Sequence, residues 1–180
     1  GFITAPQIGS ALAIKGVAKA SSGTCGHFDV IMDMCVKNTG EVPLSGITAT
    51  LDLTSPAAFG GMFTGFVAGG NPQIVSSTAQ TNPVLNSAYN GGSNINLFNG
   101  TSGMLRPGEE VCIRMRFELN PTGAGAPANP DVQATVGATA VNYQGVIIPA
   151  FFNGGAPISI CDPTDDGMNA PTTNSISPGV

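Results

Sequence analysis

Cysteines are the residues of this 180-residue chain best suited to chemistry. There are four of them: Cys25, Cys35, Cys112 and Cys161. They form no C-x-x-C pair, and the sequence has a single histidine, so a zinc site is not expected. An even number of cysteines in a chain with few charges is typical of two disulfides formed in an oxidising compartment. Two alternatives stay open, namely bridges between subunits and four buried free thiols in a reducing compartment.

A short acidic run offers a second candidate site. Asp162, Asp165 and Asp166 lie within DPTDDG and supply closely spaced carboxylate oxygens, the ligands that Ca²⁺ prefers. The run has neither the twelve-residue spacing of an EF-hand loop nor its bidentate glutamate. We therefore weigh a Ca²⁺ site against a solvated acidic linker, and we expect no other cofactor.

The sequence shows no set of residues arranged for catalysis. His27 has no serine or cysteine nucleophile pattern near it and is predicted to be an ordinary strand residue, with Asp29 on the same strand face. Glu109 and Glu110 belong to a Pro-Gly-Glu-Glu turn and lack a partner for paired-carboxylate hydrolysis. We predict that the protein is not an enzyme.

The composition indicates an all-β chain. Only 9% of residues are charged, and 25 Gly with 14 Pro interrupt every candidate helix, while 42% hydrophobic residues suffice for a core. A net charge of −5, with six Lys plus Arg, argues against nucleic acid as a partner. No apolar run approaches the roughly 18 residues of a membrane-spanning helix, so membrane insertion is not expected.

Hydrophobic alternation places the strands. Residues 28–36 and 111–119 both show period two, which is typical of a half-buried strand. Weaker patterns predict further strands at 11–20, 46–53, 63–67, 73–76, 131–145, 146–155 and 156–160. Segment 54–103 is otherwise a long Gly/Asn/Ser-rich excursion, in which the Asn99 glycosylation sequon is assigned to an ordinary turn. Seven or more strands separated by turns indicate a β-sandwich.

The run VKNTGEVPLSGITATLDL (36–53) resembles the V-x-N-x-G-x-x-P-L signature of a bacterial surface repeat, the DUF11-type Ig-like domain. Further similar stretches follow in the order of that repeat: 58–61, 81–119, 131–141 and 161–172. The resemblance extends over residues 14–172. It implies an Ig-like β-sandwich. To this all-β fold the sequence itself adds long inserted loops and an extended N-terminal strand. The resemblance also implies a secreted or cell-surface building block of stalks, fibres or adhesins, without catalytic residues.

Two features depart from the repeat, namely the cysteines and the apolar start of the chain. We divide the sequence into an N-terminal extension (1–13), the Ig-like β-sandwich (14–162) and a polar C-terminal tail or linker (163–180). The extension is a candidate strand for donation to the open sheet edge of a neighbouring subunit. Its candidate assembly residues are Phe2, Ile3, Ile8, Leu12 and Ile14.

The expected partners are therefore copies of the same chain in an extracellular filament or surface layer. Two alternatives stay open. The chain is a monomer whose first strand completes its own sheet, or it is a cell-surface adhesin module that binds glycan or protein through loops 54–103.

The repeat itself mostly lacks cysteines, but the Ig-like topology that the resemblance implies suggests how those of this chain pair. In Ig-like topology the strands that contain Cys35 and Cys112 are antiparallel neighbours. If these two residues face each other, Asp33 falls opposite Arg114, and the opposite charges support that register. An opening strand that pairs in parallel with the last strand would place Cys25 near Cys161. We therefore expect Cys35–Cys112 and Cys25–Cys161 bridges.

Overall fold

A computed structural model describes residues 6–100, 102–148, 159–163 and 165–166. Within these ranges the only helical element is one short 3₁₀ turn, Gly60–Met62, and no helix is long and apolar enough to cross a membrane. The predicted all-β class is confirmed. The strands are β1 (Ile8–Lys19), β2 (Phe28–Asn38), β3 (Leu44–Thr50), β4 (Phe63–Phe66), β5 (Gln73–Ser77), β6 (Met104–Leu105), β7 (Glu110–Leu119), β8 (Thr135–Ala140), β9 (Ser159–Pro163) and β10 (Asp165–Asp166).

The strands form two sheets that bury one core between them, as in a β-sandwich. The larger sheet has the order β10-β1-β2-β7-β4, and β5 also pairs with β7. The smaller sheet has the order β6-β3-β8-β9. Every pairing is antiparallel except that of β1 with β10, which is parallel. The predicted parallel pairing of the opening strand with the strand that Cys161 ends is not observed, because that strand, β9, pairs antiparallel with β8 in the smaller sheet. The parallel partner of β1 is instead β10, which lies in the predicted tail.

Strands β2 and β7 form the centre of the larger sheet because both alternate strictly. Their inward side chains are buried: Val30, Met32, Met34 and Val36 in β2, and Val111, Ile113, Met115, Phe117 and Leu119 in β7. The ring of Phe117 lies 5.3 Å from that of Phe59 and 5.6 Å from that of Phe63, centroid to centroid. Tilted aromatic pairs at this spacing add to the stabilisation from burial.

The long segment 54–103 contributes to the core instead of forming a free loop. Tyr89, Leu97 and Phe98 are buried, and the Tyr89 hydroxyl donates to the Leu51 carbonyl oxygen at 2.9 Å. Burial, with the nearby charge of Asp52, raises the pKa of Tyr89 far above its usual 10. The phenol therefore stays neutral and fastens this segment to the end of β3.

Strand β1 corrects the predicted domain boundaries. It runs without interruption through the predicted border between residues 13 and 14, and Ile8–Ala13 are all buried. It pairs with β2 of the same chain along its length. The second predicted border, between 162 and 163, lies within β9. Within the predicted strand 146–155, residues 146–148 make a single bridge, Val141 to Ile147, and the part beyond 148 is outside the described residues.

We expect Phe117→Ala to lower the free energy of unfolding by about 3–5 kcal/mol, because it removes the ring that several other aromatic side chains contact. Urea unfolding followed by circular dichroism measures this loss. Val84→Ala is the control, since the Val84 side chain is 52% exposed, and it should change stability by at most about 0.5 kcal/mol. Equal losses in the two variants would contradict this account of the core.

Candidate functional site

The outer face of the β2–β7 pair carries the residues with chemical potential. The register is the predicted one, with Cys35 opposite Cys112 and Asp33 opposite Arg114. We call the acidic and basic side chains on this face the charged ladder; its members are Asp29, Asp33, Arg114, Arg116 and Glu118. Because β2 and β7 are the central strands of the larger sheet, the ladder lies at the middle of that sheet's outer face.

Cys35 and Cys112 form a disulfide that joins residues 77 apart in sequence, with their Cα atoms 4.1 Å apart. Glu110 lies beside this bridge, and these three residues are the one metal-ligand group found in the described part of the chain. Both sulfur atoms are already bonded to each other, so neither is a thiolate ligand. The group is therefore a cross-link and not a metal site.

Asp33 and Arg114 form a two-pronged ion pair directly beside the disulfide. Arg114 Nε donates to Asp33 Oδ1 at 2.7 Å, and Nη2 donates to Oδ2 at 3.0 Å. These hydrogen bonds and the charge of Asp33 raise the pKa of Arg114. Two parallel bonds fix the relative orientation of both groups, so the pair holds the strand register as well as neutralising charge.

Asp29 is the most deeply buried charged group on this face, with no exposed surface. Its Oδ2 accepts hydrogen bonds from Arg116 at 2.9 Å and from the Ser21 amide at 3.1 Å, whereas Oδ1 has no partner among the described residues. Burial acts to raise the pKa of Asp29. The hydrogen bonds and the Arg116 charge outweigh it, so the pKa lies below its usual value of 3.8.

His27 lies in the turn before β2, which corrects its assignment as a strand residue. Its Nδ1 is 2.9 Å from Glu118 Oε2. This hydrogen bond, with a smaller contribution from Ser22, lowers the pKa of Glu118 below 4.5. The His27–Glu118 pair could not be read from either residue alone, although the register of β2 with β7 pointed to it. Asp29 falls opposite Glu118, and two facing carboxylates need positive charge nearby.

The predicted Cys25–Cys161 bridge is wrong, because Cys25 is an exposed free thiol. Asp165 pairs with Ala11 in the first half of β1, and the four residues from Cys161 to Asp165 span at most about 14 Å. Lys19 lies about 26 Å along β1 from Ala11, and Cys25 is in the turn that follows. The strand that contains Cys161, β9, pairs with β8 in the smaller sheet, and the parallel neighbour of β1 lies beside the half of β1 that is far from Cys25.

The acidic run is divided between two short strands instead of forming one loop. Asp162 lies in β9 opposite Val136, while Asp165 and Asp166 lie in β10. The carboxylate positions of all three are outside the described part of the structure. The Ca²⁺ site therefore stays a prediction.

The candidate assembly residues have different environments. Ile8 and Leu12 are buried in the core of their own chain, so the structure does not offer them for donation. Ile14 is exposed. Phe2 and Ile3 lie outside the described residues.

A groove of about 500 Å³ runs over the outer face beside the disulfide, between β1 and β5. Lys15 and Val75 form parts of its walls, and Asp33 and Arg114 lie on its floor. Both floor residues are already bound to each other, so neither is free to act as an acid or base towards a substrate. Within the groove, the disulfide and the ion pair both cross-link β2 to β7.

We expect the double variant Cys35→Ser, Cys112→Ser to lower the free energy of unfolding by about 2–5 kcal/mol, because the unfolded chain loses its cross-link. Urea unfolding without reductant measures the change. Cys25→Ser is the matched control and should alter stability by at most about 0.5 kcal/mol. A loss of several kcal/mol in Cys25→Ser would show that Cys25 is bridged and would contradict the structure.

We expect stability to fall on acidification through Asp29 and Glu118. Both carboxyl groups have a lower pKa in the folded chain than their usual 3.8 and 4.5. The stability that they contribute is therefore complete above pH 4.5 and is lost as the pH falls through the folded values. Unfolding free energies at a series of pH values should show a shallower acid decline for Asp29→Asn than for the wild type. Asp131→Asn, which changes an exposed carboxyl outside the ladder, should keep the wild-type slope.

Comparison with protein-family models and with curated proteins gives no match to this chain. The resemblance to the DUF11-type repeat therefore rests on the sequence motifs alone and stays a prediction. The two facing sheets establish the β-sandwich independently of that resemblance.

Proposed function

We propose that this chain is a structural subunit or repeat of an extracellular bacterial fibre or surface layer, built on an Ig-like sandwich and assembled from copies of itself. The disulfide supports an oxidising compartment. The ladder supports a structural role, because its charged groups bind one another across the central strands.

The observation that carries the proposal is the placement of the exposed apolar side chains. Tyr143, Val146 and Ile147 form one group, the end patch, in the turn after β8. Ile14 and Val17 form a second group, the edge patch, on β1. Exposed apolar side chains that are close together in the chain are candidates for a contact surface.

The two patches lie towards opposite ends of the sandwich. The turn that contains the end patch follows Ala140, which pairs with Leu44 at the start of β3. That is the end at which β1 begins, since Ile8 pairs with Asn38 at the end of β2. Val17 pairs with Val30, near the other end. Different patches at opposite ends favour a head-to-tail contact, which continues as a filament when it does not close into a ring.

The adhesin alternative has less support. Segment 54–103 would have to present its loops to a ligand, yet its apolar residues Leu97 and Phe98 face the core. Its Asn86 side chain is also occupied, since the amide donates to the Asn96 carbonyl oxygen at 2.9 Å within the same segment.

Purified chain kept under oxidising conditions should form uniform filaments, seen by negative-stain microscopy, with a sedimentation coefficient that rises with protein concentration. Val84→Asp is the matched control, because Val84 is an exposed apolar residue outside both patches. It should assemble as the wild type does. Dispersed monomers at every concentration of the wild type would reject the proposed function.

A further inference from the structure

Strand β1 has a free edge in the described part of the structure. One side of β1 pairs with β2 throughout, whereas on the other side β10 pairs only with Ala11 and Leu12. Among the described residues, none pairs with residues 13–19 on that side. Such an edge is a template for a further strand.

The side chains on this edge belong to an incompletely filled core. Ile14 and Val17 lie opposite Met32 and Val30, which are buried, so all four face the same side of the sheet. Yet Ile14 is 52% and Val17 is 64% exposed. The sandwich is thus open along this part of β1.

A cleft of about 430 Å³ lies next to the edge. Its lining includes Leu12, Ile14, Phe59, Pro130 and Val132. Asp131 also lines the cleft, but the other lining side chains are apolar, so the cleft suits hydrophobic side chains of an added strand, as in strand complementation.

Charge excludes one possible occupant. Lys15 and Lys19 are exposed on this edge, and Lys15 is the bulged residue between Ile14 and Gly16. Pairing of β1 with β1 of a second copy would bring these lysines close to one another, which is unfavourable, and edge lysines are a common protection against such pairing. The edge therefore disfavours a strand with positive charge and accepts one without it.

Residues 1–5, with the sequence GFITA, are uncharged and apolar. They precede Pro6, at the end of the sandwich where β1 begins. Five residues span at most about 17 Å, whereas Ala13 lies about 23 Å along the strand from Pro6. Residues 1–5 therefore cannot cover the free edge of their own chain, although those of a second copy can.

We propose that residues 1–5 of one copy add as a strand to the free edge 13–19 of β1 in the next copy. Phe2 and Ile3 then bury against the edge patch and its cleft. The end patch lies at the donating end and adds apolar contact area to the same interface. This inference rests on the proposed function and specifies the contact between subunits. The donor, residues 1–5, precedes β1, and the acceptor, residues 13–19, is at the other end of β1. Each copy can therefore donate to one neighbour and accept from another, which repeats the contact in one direction.

Two variants that each lack one half of the contact test the proposal. Deletion of residues 1–5 removes the donor, and Val17→Asp places a charge on the acceptor edge. Each variant alone should need at least about tenfold more protein to assemble, which corresponds to a loss of about 1.4 kcal/mol per contact. Mixed together, they should form one-to-one heterodimers and no filaments, as seen by analytical ultracentrifugation. Val84→Asp should behave as the wild type.

Val17 is mostly exposed, so Val17→Asp should retain the wild-type melting temperature and the Cys35–Cys112 disulfide. If it does not, Ile14→Asn replaces it. If the wild type forms filaments and both variants assemble at the same concentration as the wild type, the edge contact is wrong while the proposed function stands. If the wild type never assembles, the proposed function itself fails.

Discussion

The antiparallel pairing of β2 with β7 is the constraint on which the rest of this sandwich depends. One register places Cys35 against Cys112, aligns Asp33 with Arg114 and directs the alternate apolar side chains into the core. A slip by one residue would turn every side chain of one strand to the other face. The covalent bridge and the ion pair therefore do more than add stability, because they exclude the alternative registers.

The remaining elements attach to this central pair. β1 extends the sheet on one side, and β4 and β5 share β7 on the other. The His27–Glu118 contact fastens the turn between β1 and β2 to the far end of β7. The sheet is thus tightly joined at its centre and along the first half of β1, whereas the second half of β1 has only β2 as a strand partner in the described part of the chain.

An element could be predicted where neighbouring residues in the sequence determine it, and could not where contacts between distant residues determine it. The strands around Met32 and Met115 could be predicted because apolar side chains that alternate over nine residues fit one face of a strand and no face of a helix. The packing of Tyr89 and Leu97 could not, since these are isolated apolar residues in a polar segment and only tertiary contacts order them. The Cys25–Cys161 prediction failed because the strand that contains Cys161 pairs with β8 in the smaller sheet, and no local pattern shows to which sheet a strand belongs.

The disulfide also determines how the chain would transmit a pulling force. A load applied through residues before β1 and after β10 reaches Cys35 from one side and Cys112 from the other, and it crosses directly between them. Strands β3 to β6 all lie between the two bridged cysteines, which are 77 positions apart in the sequence. That stretch cannot be drawn out while the bridge is intact. Almost half of the chain is thereby kept outside the path of tension.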